Sequence, residues 1–268
     1  MGKYKMLLGA AWKRQKFSVC ALFLMIAIAA LSLFTAITLY TSGTASVEAK
    51  MDRLGFGDFT VWVSAQPERL IAEIAQTADV ESAIQQEIIF AGYEVNGNHS
   101  DNEGQLIADD GTIPYHFIDR SGERVNLSEI PVGSIYVSPA MESMFDVQIG
   151  DMIQFNLSRT NGRKAFTVAG YFEDAFMGSS MIDMKSFLVN NMDYEEMLQI
   201  MADAAAIDVL GRSGAMIHIS KNPSGGLSDT EFYEALQAHT ELARYMDFTY
   251  RKDSILSYML LLQNIVSG

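Results

Sequence analysis

Residues 17–39 form an unbroken run of 23 without a charged side chain. As a helix this run reaches about 35 Å, enough to cross a hydrocarbon core of about 30 Å with some tilt. Twelve of its residues are Leu, Ile, Phe or Val, which favours insertion by about 4–7 kcal/mol. Ser18, Ser32, Thr35 and Thr38 can return their hydroxyl protons to backbone carbonyls one turn back, so they cost little. A cleaved signal peptide would have an apolar region of about 7–15 residues followed by a small-x-small site. This run is longer, and residues 41–49 offer no convincing site, so it reads as an uncleaved anchor. The only cysteine, Cys20, lies inside the run as an apolar filler. No disulfide can form within the chain, and the rest must be stable by packing alone.

Charge orients the anchor. The first sixteen residues hold five bases (Lys3, Lys5, Lys13, Arg14 and Lys16) and no acid, while the other 14 bases stand against all 33 acids, a balance of −19. Bases on the N-terminal side place that end in the cytoplasm and the body outside. Residues 4–12 mix Leu, Met, Ala and Trp with lysine. They read equally as a short interfacial helix or as a continuation of the membrane helix. The acidic body argues against nucleic acid, whose phosphates need a basic patch, and against docking on an anionic leaflet.

Beyond the anchor, residues 42–54 read as a helical exit, broken at Gly55 and Gly57. Residues 59–63 read as a strand. Pro67 suits a first helical position, with Leu70, Ile71, Ile74, Ala75 and Ala78 as the apolar stripe that follows. A second strand–helix unit appears late: strand 215–220, a turn at 222–226, and a capping box Ser228-x-x-Glu231. That box opens a helix whose buried face is Phe232, Ala235, Leu236, His239 and Ala243. Two such units far apart suggest one layer built from both ends of the body, with the middle inserted.

The middle is mostly β. A strand at 87–95 ends at Asn96-Gly97, and 135–137 leads into a short helix at 139–145. Gly150-Asp151 is a turn, and strands 152–157 and 164–170 flank Asn161-Gly162, a strong hairpin signal. Residues 193–209 read as a helix with a box at Asp193-x-x-Glu196 and an inward face of Met197, Ile200, Met201, Ala204 and Ile207. Ten of the sixteen methionines fall between Met141 and Met216. They read chiefly as core filling, with an adaptable docking surface as the alternative.

No catalytic, cofactor-binding or metal-binding residue is expected. His99, His116, His218 and His239 are scattered without metal-ligand spacing. No serine lies in a G-x-S-x-G elbow, and there is no phosphate loop: Gly225-Gly226 lacks the following lysine. Asp109-Asp110-Gly111 resembles a fragment of a calcium loop but reads as a solvated turn. The Asn-x-Ser sites at Asn98, Asn126 and Asn156 matter only in a eukaryotic secretory route.

Residues 254–268 form a second apolar run, with Ile255, Leu256, Tyr258, Met259, Leu260, Leu261, Leu262, Ile265 and Val266 all round a helix. At about 22 Å it is short of a bilayer, and it reads as the start of a truncated second membrane helix; it lacks the polar face of an interfacial helix. The order of features resembles the N-terminal part of an FtsX-like ABC transporter permease: basic start, membrane helix, α+β ectodomain, return helix. Val137-Ser-Pro-Ala-Met141 through Val147-Gln-Ile-Gly-Asp151 is similar to the family's short helix and Gly-Asp turn. Phe166-Thr-Val-Ala-Gly-Tyr-Phe-Glu173 is similar to its strand.

The resemblance implies an α+β ectodomain of the macrolide-exporter type, a porter-like strand–helix layer with an inserted, mainly β lobe, bounded by transmembrane helices. The segments are a basic cytoplasmic N-terminus (1–16), a transmembrane helix (17–40), an extracytoplasmic core (41–253) and the start of a second transmembrane helix (254–268). The implied protein is a cell-membrane permease subunit, multi-pass when complete. It would pair with an ABC ATPase that binds the nucleotide, and with a second permease as homo- or heterodimer, in export, lipoprotein handling or signalling. It would not itself be an enzyme. The later membrane helices and cytoplasmic coupling loop of such permeases are not in these 268 residues. The alternative is a membrane-anchored extracellular sensor or binding module. The permease reading expects the coding frame to continue into further membrane helices beside an ATPase gene. The sensor reading expects a stop codon and a neighbouring kinase or cyclase gene.

Overall fold

The computed structural model describes residues 17–18, 20–39, 41–42, 49, 54, 57–63, 69–108, 116–160, 162–173, 184–238, 242 and 246–251. The basic N-terminus, most of the 42–54 exit, Pro67, the turn at 109–111, Asn161, His239, Ala243 and the 254–268 run lie outside these residues. The chain divides into two units, of which residues 49–255 are the body.

The described part of the other unit is helix α1, Cys20–Leu39, long and apolar enough to cross a membrane, with its side chains exposed. Just beyond it, Thr41 Oγ1 donates to the Ile37 carbonyl (3.0 Å) and Ser42 Oγ to that of Thr38 (2.5 Å). These bonds return hydroxyl protons to the helix backbone.

The body is built on ten strands and four helices among the described residues. The strands are β1 Phe59–Val63, β2 Val80–Val95, β3 Asn98–Ile107, β4 Ile118–Asp119, β5 Ser134–Val137, β6 Met152–Asn156, β7 Arg163–Glu173, β8 Lys185–Val189, β9 Arg212–Lys221 and β10 Met246–Arg251. The helices are α2 Leu70–Ala75, α3 Ala140–Phe145, α4 Asn191–Asp203 and α5 Asp229–Gln237. Sheet order is β10-β1-β9-β2-β3-β8-β5-β7-β4, with β6 bridging β2 and β7.

Two cores result. In the first, β10, β1, β9 and the start of β2 form a layer covered by helices on one face. Alternation places Phe59, Val61 and Val63 of β1, with Ala215, Ile217 and Ile219 of β9, in one cluster with Leu70 and Ile74 of α2 and Phe232 and Leu236 of α5. The early and late strand–helix units therefore share one layer, through antiparallel pairing of β1 with β9. Both bonds of the capping box at the start of α5 are present, Ser228 N–H to Glu231 Oε2 at 2.8 Å and Glu231 N–H to Ser228 Oγ at 3.3 Å. Ser228→Ala should lower stability by about 1 kcal/mol, read as a shift in urea midpoint with unchanged slope.

The second core is a barrel. β2, β3, β8, β5, β7 and β6 pair in that order, and β6 returns to β2 through Gly92↔Asn156 to Val95↔Ile153. Closure removes free edges. Tyr93, Phe155, Phe166 and Phe187 fill the interior with Ile89, Leu106, Ile135 and Val168, joined by Met141 of α3 and Met197 of α4. Gly104 is required by close approach: a Cβ there would meet the Phe187 ring at 2.5 Å. The sixteen-residue β2 runs through both parts, pairing β9 up to Phe90 and β6 from Gly92.

Several elements differ from the sequence reading. Strand β2 begins seven residues before the expected 87. Its hairpin at Asn96-Gly97, both at positive φ (51° and 75°), leads into β3, a polar strand without an apolar alternation to announce it. Helix α2 ends at Ala75, and the chain then turns through Asp79 at φ 63° into β2; of its expected stripe only Leu70 and Ile74 are buried. The β6–β7 hairpin forms as expected, with the strand boundaries on either side of its connection each shifted by one residue, so that 157–162 connect Asn156 to Arg163. Its Leu157 and Ser158 amides both donate to the Gly162 carbonyl. Helix α4 starts at Asn191, capped by Asn190, whose side chain accepts from the Met192 amide. Asp193 therefore sits in the first turn, fully buried, where it pairs with Lys164 at 3.0 Å and accepts from the Gly133 amide at 2.7 Å. The helix stops at Asp203, so Ile207, expected to face inward, is 83% exposed. Strands β4, β8 and β10 were not foreseen.

Candidate functional site

The face of the layer away from α2 and α5 carries buried polar side chains. Direct pairing places Thr60 opposite His218 and Trp62 opposite Met216, while β2 sets Gln86 opposite Met216. Gln86 Nε2 donates to the Ala108 carbonyl (3.4 Å), which turns Gln86 Oε1 toward His218 Nε2 (3.3 Å). Nε2 therefore carries the proton, and Nδ1 accepts from the Thr60 hydroxyl at 3.1 Å. Burial holds the His218 imidazole far below its usual range, at about 3. The ring is 2% exposed, with both nitrogens in hydrogen-bonding contact.

Beside it, Trp62 Nε1 donates to Gln105 Oε1 at 2.8 Å, and Gln105 Nε2 donates to Ser186 Oγ at 2.7 Å. This chain of buried bonds links β1 to β3 and β8, although β9 and β2 lie between β1 and β3 in the sheet. Only a strongly curled sheet brings those strands together. The partners stand 43 and 81 residues apart, so no local pattern could announce them.

The two segments that carry the family resemblance pack on each other. The Tyr171 hydroxyl donates to the Val147 carbonyl (2.7 Å), Gly150 N–H to Val168, and Val168 N–H to Asp151 (both 2.8 Å). The Gln148 amide and the Asn96 side chain donate to the Asp151 carboxylate and hold its pKa below the usual range. Arg120 pairs with Glu142 and lies 3.8 Å over the Tyr171 ring.

Near this turn the barrel exposes apolar side chains. Among the described residues of the body, six large apolar side chains are exposed, and four of them (Val132, Ile149, Met152 and Met192, 56–66% exposed) gather here. The Gly133 amide bonds Asp193, the Thr167 amide bonds Gly133, and Met152 pairs with Thr167, which holds these segments together. Met141, Met197 and Met216 are buried, in line with core filling, while Met152 and Met192 are exposed.

His99 is exposed beside Glu94 (3.7 Å), and His116 hydrogen-bonds through its backbone to Leu54, so neither stands with His218. Among the described residues no three His, Cys, Asp or Glu groups could together hold a metal ion. The features with functional potential are therefore the buried polar chain and the apolar surface.

No protein-family model matches the chain, and no curated protein matches it. Among solved structures it is similar to the periplasmic region of MacB from Actinobacillus actinomycetemcomitans, at 11% identity over 80% of this chain and 97% of that one, with a TM-score of 0.34. It is also similar to the extracellular domain of the noncanonic ABC-type transporter YknZ from Gram-positive bacteria, at 10% identity over 72% of this chain and 98% of that one, with a TM-score of 0.33.

Proposed function

We propose that this chain is the N-terminal portion of an FtsX-like ABC transporter permease subunit, which a partner ATPase drives from the cytoplasm to move the extracytoplasmic body. The observation that carries the reading is the pairing of the body's first described strand with its last, Phe59↔Arg251 through Val63↔Met246. Strands β1 and β10 therefore lie side by side. An uncharged run precedes β1 and a second apolar run follows β10 directly in sequence. An apolar run on each side of the body in sequence supports the layout of a permease ectodomain between its first two helices. The packing of the 137–151 and 166–173 segments against each other also supports the reading, since they carry the resemblance.

The single cysteine makes topology testable. In a Cys20→Ala background, Ser224→Cys on an exposed turn should react with a membrane-impermeant maleimide in intact cells. Lys3→Cys should react only after permeabilisation. Tagged chain purified from native membranes should bring down an ATPase bearing an ABC signature in near-stoichiometric amount. Correct topology without any such ATPase would overturn the permease reading and favour the anchored sensor; labelling of Lys3→Cys in intact cells would overturn both.

A further inference from the structure

We propose that Trp62, Gln105 and Ser186 form a mechanical relay that couples the strand following the membrane helix to the exposed apolar surface of the barrel. The input is β1, the first described strand after α1. Trp62, Gln105 and Ser186 are each 1–2% exposed, so water does not compete for their bonds. The connection bypasses the β9 and β2 ladders and joins strands that the sheet order keeps apart.

Its output follows from what β8 leads into. Strand β8 ends at Val189, and the next residue, Asn190, caps α4. The Asn190 side chain also donates to the carbonyls of Ile130 (2.9 Å) and Ser128 (3.3 Å), and Asp193 in the first turn holds the Gly133 amide. The start of α4 and the 128–133 segment therefore move together, and they carry Met192 and Val132, two of the four exposed apolar side chains. A displacement of β1 is passed through Gln105 to β8, and from there to this surface. Chains of packed, hydrogen-bonded groups are the physical means by which such coupling travels, and its proof is non-additivity between groups that do not touch.

The relay does not depend on what drives the membrane segment, so its failure and the failure of the permease reading are distinguishable by ATPase capture. The test is hydrogen exchange of the full chain in lipid nanodiscs, read on a peptide covering 185–193. Trp62→Phe keeps an aromatic ring in place and removes the indole donor. It should speed exchange there by about tenfold, the effect of losing one buried hydrogen bond. In a Gln105→Met background the same Trp62→Phe change should add less than about twofold, since the link is already cut. Ser186→Ala, which alters the far end without touching the indole, should in turn speed exchange across 59–63 only when Gln105 is present. An unchanged 185–193 peptide in Trp62→Phe, or equal effects with and without Gln105, would overturn the relay.

Discussion

Phe155→Ala should lower the stability of the body by about 3–5 kcal/mol, with the upper half of that range expected. Phe155 is fully buried at the centre of the barrel, with ring centroids of Phe187 at 4.9 Å and of Tyr93 and Phe166 at 5.9 Å each. The cost of such a truncation depends on how far the neighbours can collapse into the space left. Here they cannot move freely. The Phe187 ring lies against the bare Gly104 backbone and edge-on to Tyr93 at 5.0 Å, and all belong to strands locked by closure of the barrel. The measurement is urea denaturation of the detergent-solubilised chain. A loss under about 1.5 kcal/mol would mean that the barrel interior is not packed as described. Maleimide labelling of the Ser224→Cys site should be unchanged in folded Phe155→Ala protein, since the substitution alters neither α1 nor the turn at 222–226 on which Ser224 is exposed.

Lowering the pH from 6.5 to 4.5 should cost the wild-type body about 2–3 kcal/mol more than a His218→Gln variant loses over the same range. Burial depresses the folded-state pKa of His218 to about 3, below the usual histidine value. Below about pH 6.5 the unfolded chain binds a proton at this residue that the folded chain refuses. The contribution is complete above that pH and is lost, at about 1.4 kcal/mol per unit, as the pH falls toward the folded value. Carboxylates add slopes of their own, common to both proteins, so the difference between them isolates His218. Trp62, in the neighbouring bond chain, reports unfolding by fluorescence once Trp12→Phe removes the only other tryptophan. Equal pH slopes in the two proteins would show that the ring is solvated or charged in the fold.

How far the residues announce this structure varies by element, for physical reasons. Strand β1 was legible to the residue, because a short β-branched and aromatic run between turn-formers has few other uses. The α5 cap was equally plain: Ser228 and Glu231 satisfy each other's neighbouring amides within one turn, whatever surrounds them. Asp193 shows the opposite. It has the same local signature with Glu196, yet Lys164 and the Gly133 amide, far along the chain, take its carboxylate, and capping falls to Asn190. Strand β3 was invisible because its residues are polar; it exists through pairing with β2 on one side and β8 on the other. For the candidate site, the types that matter (Trp, Gln, Ser, His, Thr) carry no spacing signal when they are spread over five strands.

Local interactions are encoded where they act. The sequence alone determined the uncharged helical run at 17–39, the two strand–helix units and the mainly β character of the middle. Each depends on periodicity, capping or transfer free energy within a few residues. Only the tertiary structure decided that β6 returns to β2 and closes a barrel, and that one sixteen-residue strand serves both cores. It also decided that β1 and β10 lie side by side and that Trp62 meets Gln105. Those outcomes depend on contacts between distant segments, whose free energy is realised only when the sheet curls and both partners are already in place.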